Sequence, residues 1–151
     1  PLYNNLPRVR RAALPMAAAL AAGVITAVTV ALVVAAALGA ETQSLLSLAP
    51  KSVTTPIAMG ISERIGGLPS LAAGLVVATG ITGAIVVTPL LNLLRIRDWR
   101  ARGFAVGVAA HGIGTARAFQ VNETAGAFSG IGMGLNAILT AVLAPLAASL
   151  F

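Results

Sequence analysis

Cysteine is missing from all 151 residues, so no disulfide, thiolate metal site or cysteine nucleophile can form, and the redox compartment leaves no trace. Acidic residues are scarce as well: four Asp and Glu stand against ten Lys and Arg. Charged residues of both signs reach only 9%, where a soluble domain averages about 25%. Aromatics are 4% of the chain and are not interleaved with basic residues, which argues against a nucleic-acid surface. One histidine and a few scattered carboxylates cannot supply a conventional ligand set, so no metal or other cofactor is expected. What remains is grease: 58% of the residues are apolar and the mean hydropathy is +0.94, the composition of an integral membrane protein.

Three charge-free runs are long enough to cross a bilayer, which takes about 20 helical residues: 12–40, 65–94 and 124–151. Pro15 and Pro69 sit near helix starts, where a missing N–H costs little, whereas Pro145 falls inside the last run and is expected to kink it. Two further stretches do not read as ordinary spans. Residues 42–62 carry Lys51 near their centre, bracketed by Pro50 and Pro56. Residues 104–116, "FAVGVAAHGIGTA", hold His111 among Gly107, Gly112 and Gly114. Such short or interrupted apolar runs suit broken or re-entrant segments, and non-helical backbone at membrane depth survives only inside protein or beside a wet cavity.

Arginine placement sets the topology. Arg8, Arg10 and Arg11 form one cluster and Arg95, Arg97, Arg100 and Arg102 another, and cytoplasmic ends collect such charge. Both clusters share a side only if residues 42–64 dip in and leave where they entered. A shift of 60 residues overlays "KSVTTPIAMGISERIGGLPSLAAGLV" on "HGIGTARAFQVNETAGAFSGIGMGLN" with six matches, including Thr55/Thr115 and Glu63/Glu123, and sets Lys51 on His111. The expected fold class is therefore an all-α integral membrane protein, a single transmembrane domain over 1–151, with two re-entrant segments in an inverted repeat. The chain is too thin to enclose a polar pathway comfortably, so self-association or a partner subunit is expected. It opens "PLYNNLPRVRRA" with neither an initiator methionine nor a signal-peptide layout, which suggests an upstream portion.

The polar residues in the two interruptions are the candidates for chemistry. Lys51, with the hydroxyls of Ser52, Thr54 and Thr55, could meet an organic anion, and a helix restarting at Thr54 or Thr55 would aim its N-terminus at the same charge. A lysine snorkelling to the headgroups is the plain alternative. His111, Gly112, Gly114 and Thr115 could line the same site, with Arg117 gripping a carboxylate in a bidentate fork, although a lone histidine is as often a satisfied buried residue. Glu63 and Glu123 could bind a coupling ion or pair with Lys51 or Arg117; otherwise they are carboxylates at the helix starts preceding Ile65 and Thr124. Asn136, polar within an apolar run, reads as an interhelical hydrogen bonder, and "GIGMG" (130–134) as close helix packing rather than a dinucleotide fingerprint. Ser52, Ser62, His111 and Glu123 have no spacing signature of a hydrolase, so no catalytic residue is expected.

The strings "LAPKSVTTPIAMGISERIGG", "RARGFAVGVAAHGIGTARAF" and "ETAGAFSGIGMGLNAILTAVLAPL" closely resemble the LrgB/CidB family of bacterial membrane proteins, over essentially the whole chain. The resemblance implies the C-terminal part of a longer LrgB-like chain in the bacterial plasma membrane. It also implies two kinds of activity. Bacterial members are holin-like or antiholin-like modulators of murein hydrolases and autolysis, alongside a small LrgA/CidA-type partner. The plastid relative is a glycolate/glycerate transporter, and bacterial systems are linked to pyruvate uptake. The leading expectation is an ion-coupled secondary transporter of small monocarboxylates such as pyruvate, glycolate, glycerate or lactate, with a holin-like lysis regulator as the alternative.

Overall fold

The structure is a computed structural model that describes residues 12–148, so the Arg8–Arg10–Arg11 cluster lies outside the described residues. The described chain is all-helical, without strands, in the order α1 (Ala13–Ala37), α2 (Thr42–Leu48), α3 (Thr55–Arg64), α4 (Pro69–Leu93), α5 (Trp99–Val121) and α6 (Glu123–Ala148). Among the described residues, α1, α4 and α6 are long and apolar enough to cross a membrane. The expected runs thus persist with trimmed ends. The second begins at Pro69 rather than residue 65, because Gly66 turns the chain at φ +85° and Leu68 is extended before Pro69 opens the helix.

The contacts fix the directions of these helices. Met16 and Val24 of α1 pack with Phe104 and Val108 of α5 and with Phe128 of α6, and Leu32 joins Ala144 in a second cluster, so α1 and α6 run the same way. On α4, Gly80 and Gly83 meet His111 and Ala110, while Val87 packs on Val106 and Leu91 shares a crease with Trp99 and Arg102. α4 therefore runs against the first half of α5, and against α1 and α6.

Helix α5 is not one rod. His111 sits inside it at φ +41°, ψ −135°, outside helical geometry, and the helix breaks there. A straight 23-residue helix would hold Trp99 and Val121 more than about 30 Å apart. Instead Trp99, Arg102 and Val106 line one crease with Gly114, Arg117 and Val121. The second half folds back on the first. Residues 104–116 were too short a frame, because the helix continues through Arg100, Arg102 and Arg117 at the hairpin's open end.

Glycine makes the packing of this hairpin on α6 possible. A Cβ on Gly103 would fall on the Ala125 carbonyl, and one on Gly107 on the Ser129 carbonyl, so only glycine lets α5 and α6 approach this closely. In the other interruption, α2 and α3, the Leu68 amide donates to Ser47 Oγ at 2.7 Å, tying the last turn of α2 to the start of α4. That tie lies at the α4 end remote from residues 95–102, so the two interrupted segments start from opposite ends of the bundle.

Three helices end alike, each with the two main-chain hydrogen bonds of a Schellman turn. Gly39 (φ +79°) closes α1 and Gly66 (φ +85°) closes α3, but Arg95 (φ +56°) occupies the same left-handed position after α4. At the start of α5, Asp98 caps the helix by accepting from the Arg100 amide at 2.8 Å. The Arg100 side chain also hydrogen-bonds that carboxyl, and these bonds hold Asp98 down at about 2.

Candidate functional site

The first interruption behaves as its prolines require. Pro50 is buried in the turn, the chain is non-helical through Thr54, and α3 restarts at Thr55 with Pro56 in its first turn. Lys51 is half-buried and donates from Nζ to Ser52 Oγ at 3.2 Å; among the described residues no carboxylate pairs with it. Thr54 is the N-cap of α3 by backbone conformation, but its side chain makes no capping hydrogen bond.

The second interruption is held from two sides. The His111 ring is buried with Nε2 2.9 Å from the main-chain carbonyl of Val76 on α4. A carbonyl can only accept, so Nε2 carries the hydrogen. Gly80 leaves room for that ring: a Cβ there would come within 2.6 Å of His111 Cε1. Behind the break, Thr115 Oγ1 donates to the His111 carbonyl at 2.7 Å and lies 2.8 Å from Ser129 Oγ on α6. Thr115 has one hydroxyl hydrogen, so Ser129 is the donor in the second bond.

Asn136 joins the two. Its Nδ2 donates to the Ser52 carbonyl at 2.8 Å and to the Val108 carbonyl at 3.0 Å, while its Oδ1 accepts from Thr140 at 3.0 Å. Asn136 is almost wholly buried, near the middle of α6. One amide therefore satisfies a carbonyl at the first break and another three residues before the second. The expectation of an interhelical role for Asn136 holds, but its amide donates to main chain at both breaks.

Other expected residues lie elsewhere. Arg117 is exposed, donates to Gln120 Oε1 at 3.1 Å, and lines the crease near the hairpin's open end instead of joining Lys51. Gly114 packs on Ala110 and Val106 inside the hairpin, and Gly112 has open space beside it. Glu123 is exposed in the first turn of α6, in the position expected of a helix-start carboxylate. Glu63 is not at a helix start; it lies in the last turn of α3, because the chain turns at Gly66 before α4 begins. Among the described residues neither glutamate forms an ion pair.

Sequence reasoning missed Ser129, Gly80, Ser47 and the buried state of Arg102. Only the last had a readable signal: Trp99 and Arg102, three apart on a helix, share a face, and the guanidinium lies 4.9 Å from the indole centroid. A cavity of about 640 Å³ is an apolar groove between α1 and the first half of α5, lined by none of the expected site residues.

Comparison with known proteins gives one family and several relatives. The LrgB-like family matches residues 1–150. The chain is 37% identical over 145 residues, 96% of its length, to uncharacterized protein YwbG of Bacillus subtilis, and covers 64% of that protein. It is 30% identical to holin-like protein CidB of Staphylococcus aureus and 29% identical to that of Staphylococcus epidermidis, over all of its own length and 66% of theirs. The chain thus spans just under two thirds of the length of these relatives. No solved structure matches it.

Proposed function

Because the chain belongs to the LrgB-like family of bacterial integral membrane proteins, we propose that it is a holin-like component of the plasma membrane that modulates murein hydrolases and autolysis. The observation that carries this reading is the likeness to holin-like CidB proteins along the whole chain. A small CidA/LrgA-type membrane protein is the expected partner. A lesion would form between copies or with that partner. The test is deletion of the encoding gene in its host, followed by detergent-induced autolysis and hydrolase zymography. The reading expects lysis to change and to return with the restored gene; unchanged lysis and unchanged zymograms reject it.

A second reading, an ion-coupled carrier of small monocarboxylates such as pyruvate or glycolate, is favoured by one observation. Two interrupted segments starting from opposite ends of the bundle converge on Asn136 near the middle of α6. Broken helices meeting at the midplane of an inverted repeat are the usual ground for alternating access, and we read α2–α3 and α5 as such re-entrant pairs. Lys51, Ser52, Thr54 and Thr55 would face the carboxylate from one side and His111, Gly112 and Thr115 from the other, with Glu63 or Glu123 binding the coupling ion, while Gly114 lines the crease. Arg117 stays outside this arrangement because it faces the crease. Proteoliposome uptake of labelled pyruvate and glycolate tests it: saturable uptake that Lys51→Ala abolishes and Lys51→Arg retains in part is expected, and the absence of saturable uptake overturns it.

A further inference from the structure

We propose that the crease between α4 and the open end of the α5 hairpin binds the phosphate of an anionic glycerophospholipid. Arg102 and Arg117 would face the headgroup, and Val87, Leu91 and Val121 would lie along the acyl chains. This goes beyond the lysis and transport readings and depends on neither.

Charge is the first argument. The loop and the adjoining turn of α5 carry one acid, Asp98, and Arg100 takes it. Arg95, Arg97, Arg102 and Arg117 therefore have no carboxylate partner among the described residues. Of these, Arg102 is 8% exposed, and its Nη1 is fixed by Asn92 Oδ1 at 2.8 Å and the Ile96 carbonyl at 3.0 Å. A guanidinium presents five donors in a rigid fork, and both of these bonds use one nitrogen. Arg117 lines the same crease from the returning half of α5, bonded only to Gln120. Buried or clustered cations want an anion, and the described protein supplies none.

The surroundings choose the kind of anion. The crease holds about 20 Å³ of free space, room for one or two waters, so neither a carboxylate nor a phosphate sits inside it. A ligand must lie along it. Of the apolar residues lining the crease, Trp99 and Val121 are each 40% exposed. A soluble anion has no use for such a rim, whereas a phospholipid matches both halves. Trp99, the only tryptophan in the chain, stacks on Arg102 with its ring partly exposed, a typical residue for the headgroup level. Basic pockets between membrane helices take anionic headgroups on the same grounds.

Because Trp99 is the sole indole, its fluorescence reads this site directly. The full chain is reconstituted in phosphatidylcholine vesicles containing brominated phosphatidylglycerol or brominated phosphatidylcholine at equal mole fraction, and quenching of Trp99 is compared. The expected preference for the anionic lipid is roughly fivefold, at least halved by Arg117→Gln and restored by Arg117→Lys. Arg64→Gln, at the opposite end of α4, should leave it unchanged. Equal quenching by the two lipids overturns the proposal, as does an equal loss in Arg64→Gln, which would mean diffuse charge. Soluble glycerol phosphate is added in a further arm. Failure to compete is expected, and abolition of the preference by the soluble headgroup would make this a free-anion site and overturn the lipid assignment.

Discussion

His111 reaches across from the break in α5 to place Nε2 2.9 Å from the Val76 carbonyl on α4, and it does so from a backbone conformation, φ +41°, that a side chain disfavours. The hydrogen bond and the break are one device: the bond holds the strained residue, and the strain aims the ring. Positive-φ conformations of this kind cost a non-glycine residue of order 1–3 kcal/mol when unsupported.

That coupling can be measured through Gly80. Gly80→Ala would press its methyl against the His111 ring, 2.6 Å from Cε1, and should destabilise the protein by about 2 kcal/mol. His111→Gly removes both ring and strain and should cost less than His111→Ala. In the double variant Gly80→Ala/His111→Gly the two losses should sum to less than the parts. Thermal unfolding in detergent, run as a double-mutant cycle, checks this, and strict additivity refutes it.

Removing the amide of Asn136 takes a buried donor from the Ser52 and Val108 carbonyls. At about 1–3 kcal/mol for each buried group deprived of a partner, Asn136→Leu should destabilise more than Asn136→Gln, whose longer arm still carries an amide. Cysteine accessibility at position 52, introduced in this cysteine-free chain, should rise in the leucine variant.

Along the α5–α6 contact, Gly103→Ala and Gly107→Ala each set a methyl onto a main-chain carbonyl that cannot yield like a flexible side chain. Each should cost more than about 2 kcal/mol. Gly130→Ala and Gly134→Ala, with open space beside them, should stay near neutral. Melting temperatures of the four purified variants decide the matter.

Asp98 gives a pH dependence with a defined sign. Its carboxyl is held at about 2, chiefly by side-chain hydrogen bonds from Arg100, below the ordinary aspartate value near 3.8. A depressed acid stabilises the fold above its unfolded value and ceases to do so as pH falls through the folded one. The contribution of the α5 cap should therefore be complete above about pH 4 and fade towards pH 2. Melting curves of the wild type and Asp98→Ala should converge over that range, and the capping loss at neutral pH should be about 1 kcal/mol.

Arg95 occupies the position that glycine holds at Gly39 and Gly66. Arg95→Gly should raise stability by about 1 kcal/mol, since a left-handed conformation costs glycine nothing. A lower melting temperature would mean that the arginine side chain itself holds the loop.

Hydropathy made the three crossing helices legible, because a bilayer demands length and grease and little else. The breaks were legible at Pro50, Pro56 and His111, where proline and glycine spoil the helix. Charge misled at α5: Arg100, Arg102 and Arg117 ended the apolar run on paper, yet the helix runs on through them at the hairpin's open end. The fold-back also explains Arg117. Six residues beyond the break, the chain has travelled about 9 Å back towards that end, away from the first interruption. Nothing local to Ser47 or Ser129 points to Leu68 or Thr115, because those pairings arise only once the segments fold.

The Asn136 bridge also imposes an order on biogenesis. Ser52 leaves the ribosome 84 residues ahead of the amide that will bind its carbonyl. At about 5–20 residues per second that is a wait of roughly 4 to 17 seconds, and an unpaired carbonyl in hydrocarbon costs several kcal/mol for as long as it stays there. The turn at Ser52 must remain hydrated, or sheltered by the insertion machinery, until α6 arrives to complete it.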